Sequence, residues 1–176
     1  VFNGKLYYAM DNNKLFETED GRSVTENMNY ENQVGYSSTS VVDRTTCLAS
    51  FGGYLYLGTT ANITGAQIWR TADGVTFDSL AIPNASFAGV KSMKVAGGKL
   101  FILIRDYSDA YVLYSTVDGT TYVLEDNTEF GNGLTNANYN TPMEEFNGHL
   151  YVGVTQTFGG LRLIGNGNNE IMDYNS

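Results

Sequence analysis

Apolar and polar residues alternate in short bursts along this chain, and the bursts fall into groups that repeat. In the clearest group Ser92-Met93-Lys94-Val95 alternates, Lys99 to Arg105 is almost continuously apolar, Tyr111 to Thr116 alternates again, and Thr120 to Leu124 is β-branched and aromatic. Alternation with period two marks a β-strand, and no stretch carries the 3.6-residue period of a helix. Gly97-Gly98 and Asp118-Gly119 stand where tight turns would join the first strand to the second and the third to the fourth. Glycine at such turns adopts the positive φ that a Cβ resists. The pattern predicts a meander of four antiparallel strands.

The same group recurs along the chain. Gly4-Lys5-Leu6-Tyr7, Gly53-Tyr54-Leu55-Tyr56, Gly98-Lys99-Leu100-Phe101 and Gly148-His149-Leu150-Tyr151 are copies of one motif spaced by about 45 to 50 residues. Aligning the copies brings Leu48, Met93 and Met143 together in the first strand, with Phe51, Ala96 and Phe146 at a second core position. Leu15, Ile68, Leu113 and Leu163 coincide in the third strand, followed by Phe16, Trp69, Tyr114 and Ile164, and Val24, Phe77, Tyr122 and Met172 coincide in the fourth. Every sheet therefore carries apolar residues on both faces, as a sheet does when packed between copies of itself. The expected fold is all-β: a propeller of four-stranded antiparallel blades over residues 1–176, with repeats at about 1–44, 45–89, 90–140 and 141–176. The first repeat has no room for its inner strand before Val1 to Asn3, so the chain reads as part of a larger propeller, or as an assembly in which an open edge meets another copy.

An Asp-Gly pair follows the motif in three repeats, as Asp20-Gly21, Asp73-Gly74 and Asp118-Gly119. Thr71-Ala72-Asp73-Gly74-Val75-Thr76-Phe77 and Thr116-Val117-Asp118-Gly119-Thr120-Thr121-Tyr122 share a fuller pattern of hydroxyl, any residue, Asp, Gly, any residue, Thr and aromatic. Aspartate accepts hydrogen bonds from amides of its own turn, glycine takes the left-handed position, and the aromatic is free to bury itself. With the preceding Ile68-Trp69-Arg70, these residues resemble the Asp-box, or bacterial neuraminidase repeat, of sialidase-like and sortilin-like β-propellers. This chain has one residue fewer between Asp and the aromatic, and Phe or Tyr where that family usually has Trp. The resemblance implies that Asp20, Gly21, Asp73, Gly74, Asp118 and Gly119 are structural turn residues on the face away from any ligand. The arginine triad and Arg-Ile-Pro motif of catalytic sialidases have no counterpart to which residues can be transferred.

Charge narrows the partners. The formal net charge is -9 and the ten basic residues form no run, which argues against nucleic acid and anionic membrane. No apolar stretch approaches the 20 residues or so that a spanning helix needs. Cys47 is the single cysteine, so no disulfide forms within the chain, and the start at Val1 reads as a processed or excised molecule.

Candidate chemistry is sparse. His149 is the only histidine and aligns with Lys5, Tyr54 and Lys99 at a solvent-facing strand start, which removes serine-histidine and histidine-rich metal sites. No cofactor is expected; calcium is the weaker alternative, because Asp106-Tyr107-Ser108-Asp109 and Asp126-Asn127-Thr128-Glu129 cluster oxygens without a full calcium-loop spacing. Tyr30, Tyr36, Tyr107, Tyr139 and Phe158 fall in expected loops, with Arg105 beside them. Aromatic rings on a rigid scaffold suit recognition of sugars or proteins, and packing of the loops on their own blade is the alternative. The expected role is a non-enzymatic, extracellular or cell-surface recognition or structural module that binds a glycan or protein through these residues. A sialidase-like glycoside hydrolase and a self-assembling subunit are the alternatives.

Overall fold

The computed structural model describes residues 1–10, 14–34, 42–61, 65–82, 87–106, 111–126, 142–147, 149–155, 160–164 and 171–175. The first unit holds β1 (Leu6–Met10), β2 (Lys14–Thr18) and β3 (Thr25–Glu26), followed by a short helix, α1 (Met28–Val34). The second holds β4 (Val42–Phe51), β5 (Tyr54–Ala61), β6 (Ile68–Thr71) and β7 (Asp78–Leu80). The third holds β8 (Phe87–Ala96), β9 (Lys99–Asp106), β10 (Tyr111–Thr116) and β11 (Val123–Asp126). The fourth holds β12 (Met143–Phe146), β13 (His149–Thr155), β14 (Gly160–Ile164) and β15 (Ile171–Asn175).

Each unit is an antiparallel meander, and the repeat extends to its irregularities. The β4–β5 ladder shifts register between Val42 and Arg44 and between Thr45 and Cys47. The β8–β9 ladder shifts between Phe87 and Gly89 and between Val90 and Ser92, at the aligned positions. Tyr56, Phe101 and Tyr151 lie on the second strand of their unit and Tyr7 on the aligned strand β1, opposite Glu17 for Tyr7, Arg70 for Tyr56 and Ser115 for Phe101. The first unit is three-stranded, with β1 at its edge.

The result is an all-β, curled antiparallel arrangement that corresponds to part of a propeller, without four separate four-stranded blades. The second and third units are joined into one eight-stranded sheet through the pairing of Thr60 with Gly89. Glycine allows that approach. A Cβ on Gly89 would stand 2.7 Å from Thr60 Oγ1, and one on Gly58 would stand 2.6 Å from Val90 Cγ1. Thr46 Oγ1 adds hydrogen bonds to the carbonyls of Gly58 and Val90, bridging the same seam.

The core lies between units rather than within them. Tyr7 and Leu15 of the first unit pack with Leu55, Leu57 and Phe77 of the second. Tyr56 and Ile68 of the second pack with Met93, Leu100 and Ile102 of the third. Phe101, Leu103 and Leu113 of the third pack with Met143, Leu150 and Val152 of the fourth. Leu15, Leu57, Ile68 and Leu100 are fully enclosed, and burial of such a side chain is worth roughly 1.5–3 kcal/mol. These contributions require both neighbours, so no unit is expected to hold its fold alone.

A single contact recurs at these seams. The Tyr7 hydroxyl stands 2.7 Å from where a Cβ on Gly74 would be, and the Tyr56 hydroxyl stands 1.8 Å from the equivalent point on Gly119. The motif tyrosine of one unit thus seats on the Asp-Gly turn of the next. Gly21, the first such glycine, has nothing within 4 Å of that point.

Four expectations need correction. Helical patterning is absent from the sequence, yet Met28–Val34 is a helix; Asn27 caps it by accepting the Tyr30 amide at 3.0 Å, and Tyr30 and Val34 bury one side. The fourth strand of the third unit begins at Val123 rather than Thr120, because Asp118 Oδ1 captures the amides of Thr120 and Thr121. Val24 is 49 % exposed although its counterpart Phe77 is buried. Phe146 is 62 % exposed although its counterpart Ala96 is buried. Both lie on sheet faces that meet no neighbouring unit among the described residues.

The seam contact predicts unequal costs for equal substitutions. Gly21, Gly74 and Gly119 share a positive φ of 71°, 77° and 78°, so alanine meets the same backbone strain at each. Gly21→Ala should cost on the order of 1 kcal/mol from that strain alone. Gly119→Ala should cost about 1–3 kcal/mol more, because Tyr56 is wedged against it. Adding Tyr56→Phe should recover part of the excess, and a denaturant-based double-mutant cycle reads the coupling. Equal losses for Gly21→Ala and Gly119→Ala would refute the contact.

Candidate functional site

At one end of the sheets stand three turns with the same internal hydrogen bonds. In each, a buried threonine, Thr18, Thr71 or Thr116, accepts the glycine amide three residues on, at 2.8–2.9 Å. Its hydroxyl donates to the aspartate at 3.0–3.2 Å. Asp20 Oδ1 accepts the amides of Arg22 and Ser23, Asp73 Oδ1 those of Val75 and Thr76, and Asp118 Oδ1 those of Thr120 and Thr121. These amides favour the charged carboxylate. Arg22 and Ser23 hold Asp20 down at about 2. The amides of Thr76 and Val75 lower Asp73, and those of Thr121 and Thr120 lower Asp118.

The second turn is also gripped from outside. Asn27 Nδ2 donates to the Gly74 carbonyl at 2.8 Å and to Glu17 Oε2 at 3.1 Å. Gln33 accepts the Phe77 amide at 2.9 Å and donates to the Val75 carbonyl at 2.6 Å. Asn27 and α1 therefore clamp the first unit to the turn of the second, a role with no trace in the repeat pattern because both residues lie outside it.

Beside the first turn a polar cavity of about 280 Å³ is lined by Lys5, Glu17, Thr18, Glu19, Asp20, Ser23 and Thr25. Lys5 Nζ donates to Glu17 at 2.7 Å and lies 3.6 Å from Glu19. Burial pushes the Glu17 carboxyl up, but the hydrogen bonds from Lys5 and Asn27 outweigh it and leave the group lowered. Glu125, with Lys99 and Ser115, and Glu144, with Lys94, are lowered as well. Among the described residues, no group of three His, Cys, Asp or Glu is placed to hold a metal ion.

Of the residues expected to bind a ligand, Tyr30 and Arg105 are among the described residues. Tyr30 is on α1, fully buried, edge-on to Phe77 at 5.2 Å and hydrogen bonded to Thr45. Burial pushes its hydroxyl up to about 12. It is a seam residue with no surface to offer a ligand, which matches the packing alternative for that position. Arg105 is on β9, opposite Tyr111 and at the far end of the strand from Lys99. That end is remote from the Asp-Gly turn of the same unit. Tyr36, Tyr107, Tyr139 and Phe158 lie outside the described residues. Cys47 lies on β4, where burial pushes its thiol up to about 12 and keeps it protonated at neutral pH.

No protein-family model and no curated protein matches the sequence. Solved structures do match in shape. A mutant of Aleuria aurantia lectin in complex with α-methyl-L-fucoside aligns with a TM-score of 0.59 at 14% identity, covering 96% of this chain and 55% of the lectin. The same mutant with Fucα1-6GlcNAc gives the same values. A GH43 endo-arabinanase from Bacillus licheniformis aligns with a TM-score of 0.47 at 13% identity over 74% of this chain and 53% of its own. The chain spans about half the length of the lectin it matches. At this identity the likeness establishes a shared β-propeller-type fold.

The turns give the protein an acid limb of known sign. Asp20, Asp73 and Asp118 have folded pKa values below the unfolded value near 4, so their stabilisation is complete above about pH 4 and is lost as pH falls through the folded values. For Asp20 the loss runs down to about 2. A triple Asp→Asn variant, which keeps each oxygen acceptor but not its charge, should lose less Tm than wild type between about pH 4 and pH 2. Parallel acid limbs in the two proteins would show that the turns do not carry this dependence.

Proposed function

We propose that the chain is a non-enzymatic recognition module of propeller type, acting outside the cell or at its surface and binding a glycan through the loop end of its sheets. The observation that carries this reading is the internal pairing of the turn end, where Asp20, Asp73 and Asp118 each accept two backbone amides of their own turn; the state of the described carboxylates agrees with it. Every described Asp or Glu with a displaced pKa is displaced downward by turn amides, lysines or neighbouring hydrogen bonds. A glycosidase acid requires the opposite shift. The polar groups at the turn end are paired with one another and serve as scaffold, in the manner of Asp-box turns. Recognition then belongs to the other end, where Asp106 ends β9 and Tyr111 begins β10 opposite Arg105. Tyr107 follows β9 directly, Phe158 falls in the equivalent connection of the fourth unit, and Tyr36 and Tyr139 fall in the connections between units.

A fold shared with a lectin is support for glycan binding only by analogy, since propellers host many activities. It does choose the first ligands to try: α-fucosides, as in the solved lectin complexes. On a glycan array the wild-type chain should bind one glycan class. Tyr107→Ala or Arg105→Ala should weaken that binding about tenfold or more, and Asp73→Asn should leave it unchanged. Binding that depends on Asp73 while tolerating Tyr107→Ala, with both variants folded, would place recognition at the turn end. Release of reducing sugar from the bound glycan would make the chain an enzyme.

A further inference from the structure

Two polar atoms near the third turn stand outside the pairing of the turn end. They belong to the seam between the second and third units, which copies the seam between the first and second with its polar positions changed. Lys5, Glu17 and Phe77 of the first seam become Tyr54, Arg70 and Tyr122 in the second. At the first seam Lys5 and Asn27 both donate to Glu17, which leaves that carboxylate satisfied. At the second the Arg70 guanidinium lies over the Tyr54 ring, 4.4 Å from its centroid, and hydrogen bonds the Tyr56 hydroxyl. Tyr122 packs against the same core cluster. Arg70 Nε and the Tyr122 hydroxyl are both sealed from solvent, and neither has a hydrogen-bond partner. Burial pushes the Tyr122 hydroxyl up to about 12, with Tyr56 adding to the rise and the nearby Arg70 charge opposing it, so it keeps its proton at neutral pH.

A guanidinium nitrogen can only donate, so what Arg70 Nε lacks is an acceptor, and the Tyr122 hydroxyl can donate to the same atom. A buried donor left unmet is costly, and more so on a charged group. We infer that this seam is an oxyanion site, in which a carboxylate or sulfate oxygen accepts from Arg70 Nε and from the Tyr122 hydroxyl. The unmatched charge selects an anion over water. Among the described residues no carboxylate forms an ion pair with Arg70. Asp118 commits Oδ1 to the amides of Thr120 and Thr121, and the exposed Asp78, opposite Arg70 on β7, acts on it only through space. The edge of a guanidinium offers two parallel donors, which suits the paired oxygens of such a group. Tyr54, half-buried at the start of β5, is the side chain that swings aside to admit it. The site lies at the end of the sheets opposite the loops assigned to glycan binding and does not depend on that reading.

Proton–nitrogen NMR of the full 176-residue chain tests this, because arginine Nε–H groups give their own signals and Arg70→Lys identifies the one at issue by its loss. Sodium acetate and sodium sulfate are each exchanged for sodium chloride at constant ionic strength. The Arg70 Nε–H proton should move downfield and saturate with acetate or sulfate, and the tighter of the two names the group that the site takes. Tyr122→Phe installs the residue that the first seam carries at this position, so packing is kept while one donor is lost, and affinity should fall about tenfold. Asp78→Asn removes a repelling charge and should tighten binding, an effect that a purely structural Arg70 would not produce. A signal unmoved by both salts in the folded protein would overturn the inference and leave water as the missing acceptor. Saturation with an affinity equal in wild type and Tyr122→Phe would overturn it as well, since the anion would then sit elsewhere on the guanidinium.

Discussion

The packing of the first three units turns on the contact between one unit's tyrosine and the next unit's glycine turn, made by Tyr7 on Gly74 and by Tyr56 on Gly119. A four-stranded meander of this size has two apolar faces and too little interior to bury either, so its stability is supplied by neighbours. The tyrosine sets how those neighbours meet. Its ring fills the seam and its hydroxyl arrives at a turn that tolerates nothing larger than hydrogen on its glycine. That requirement explains why the turn is built so firmly. Thr116 and Asp118 hold the amides of Gly119, Thr120 and Thr121 in place, so that the Tyr56 hydroxyl meets a fixed surface. A radial gap of about 0.5–1 Å already forfeits a quarter to a half of a van der Waals contact, so a turn free to move would weaken the seam.

The turn chemistry and the seam therefore depend on each other, and this bears on function. Aspartates exposed in an acidic protein invite a reading as ligands or catalytic groups, but each spends one oxygen on two backbone amides. Their depressed pKa values report hydrogen bonding to the charged form rather than activation for proton transfer. A perturbed pKa marks a functional site only when the perturbation suits the chemistry, and here it suits a structural role.

Much of this was legible in the sequence because repetition makes periodicity redundant. Four copies of a glycine, leucine and aromatic motif placed the second strand of each unit, and the Asp-Gly pairs placed the third turn. The pairing of core positions across seams followed from apolar residues on both faces. What escaped lies outside the repeat. Helix α1 is a single element of seven residues, too short to show a period, and it is stabilised by its cap Asn27 and by burial of Tyr30 and Val34 rather than by propensity. The hydrogen bonding of the second unit to the third depends on Gly58 and Gly89, whose missing side chains read in sequence as turn or bulge signals, not as sites of close approach.

Tyr30 shows the limit of arguing function from composition. A tyrosine outside the repeat pattern in an expected loop looks like a binding residue, because symmetry does not account for it. The structure accounts for it by local asymmetry instead: β3 has only two residues, and the helix that follows covers the seam a longer strand would have covered. Tyr30 fills that seam against Phe77 and ties it to β4 through Thr45. A departure from the repeat that repairs packing where an element is short is structural, and the symmetry of the repeat alone does not mark such a residue as a binding residue.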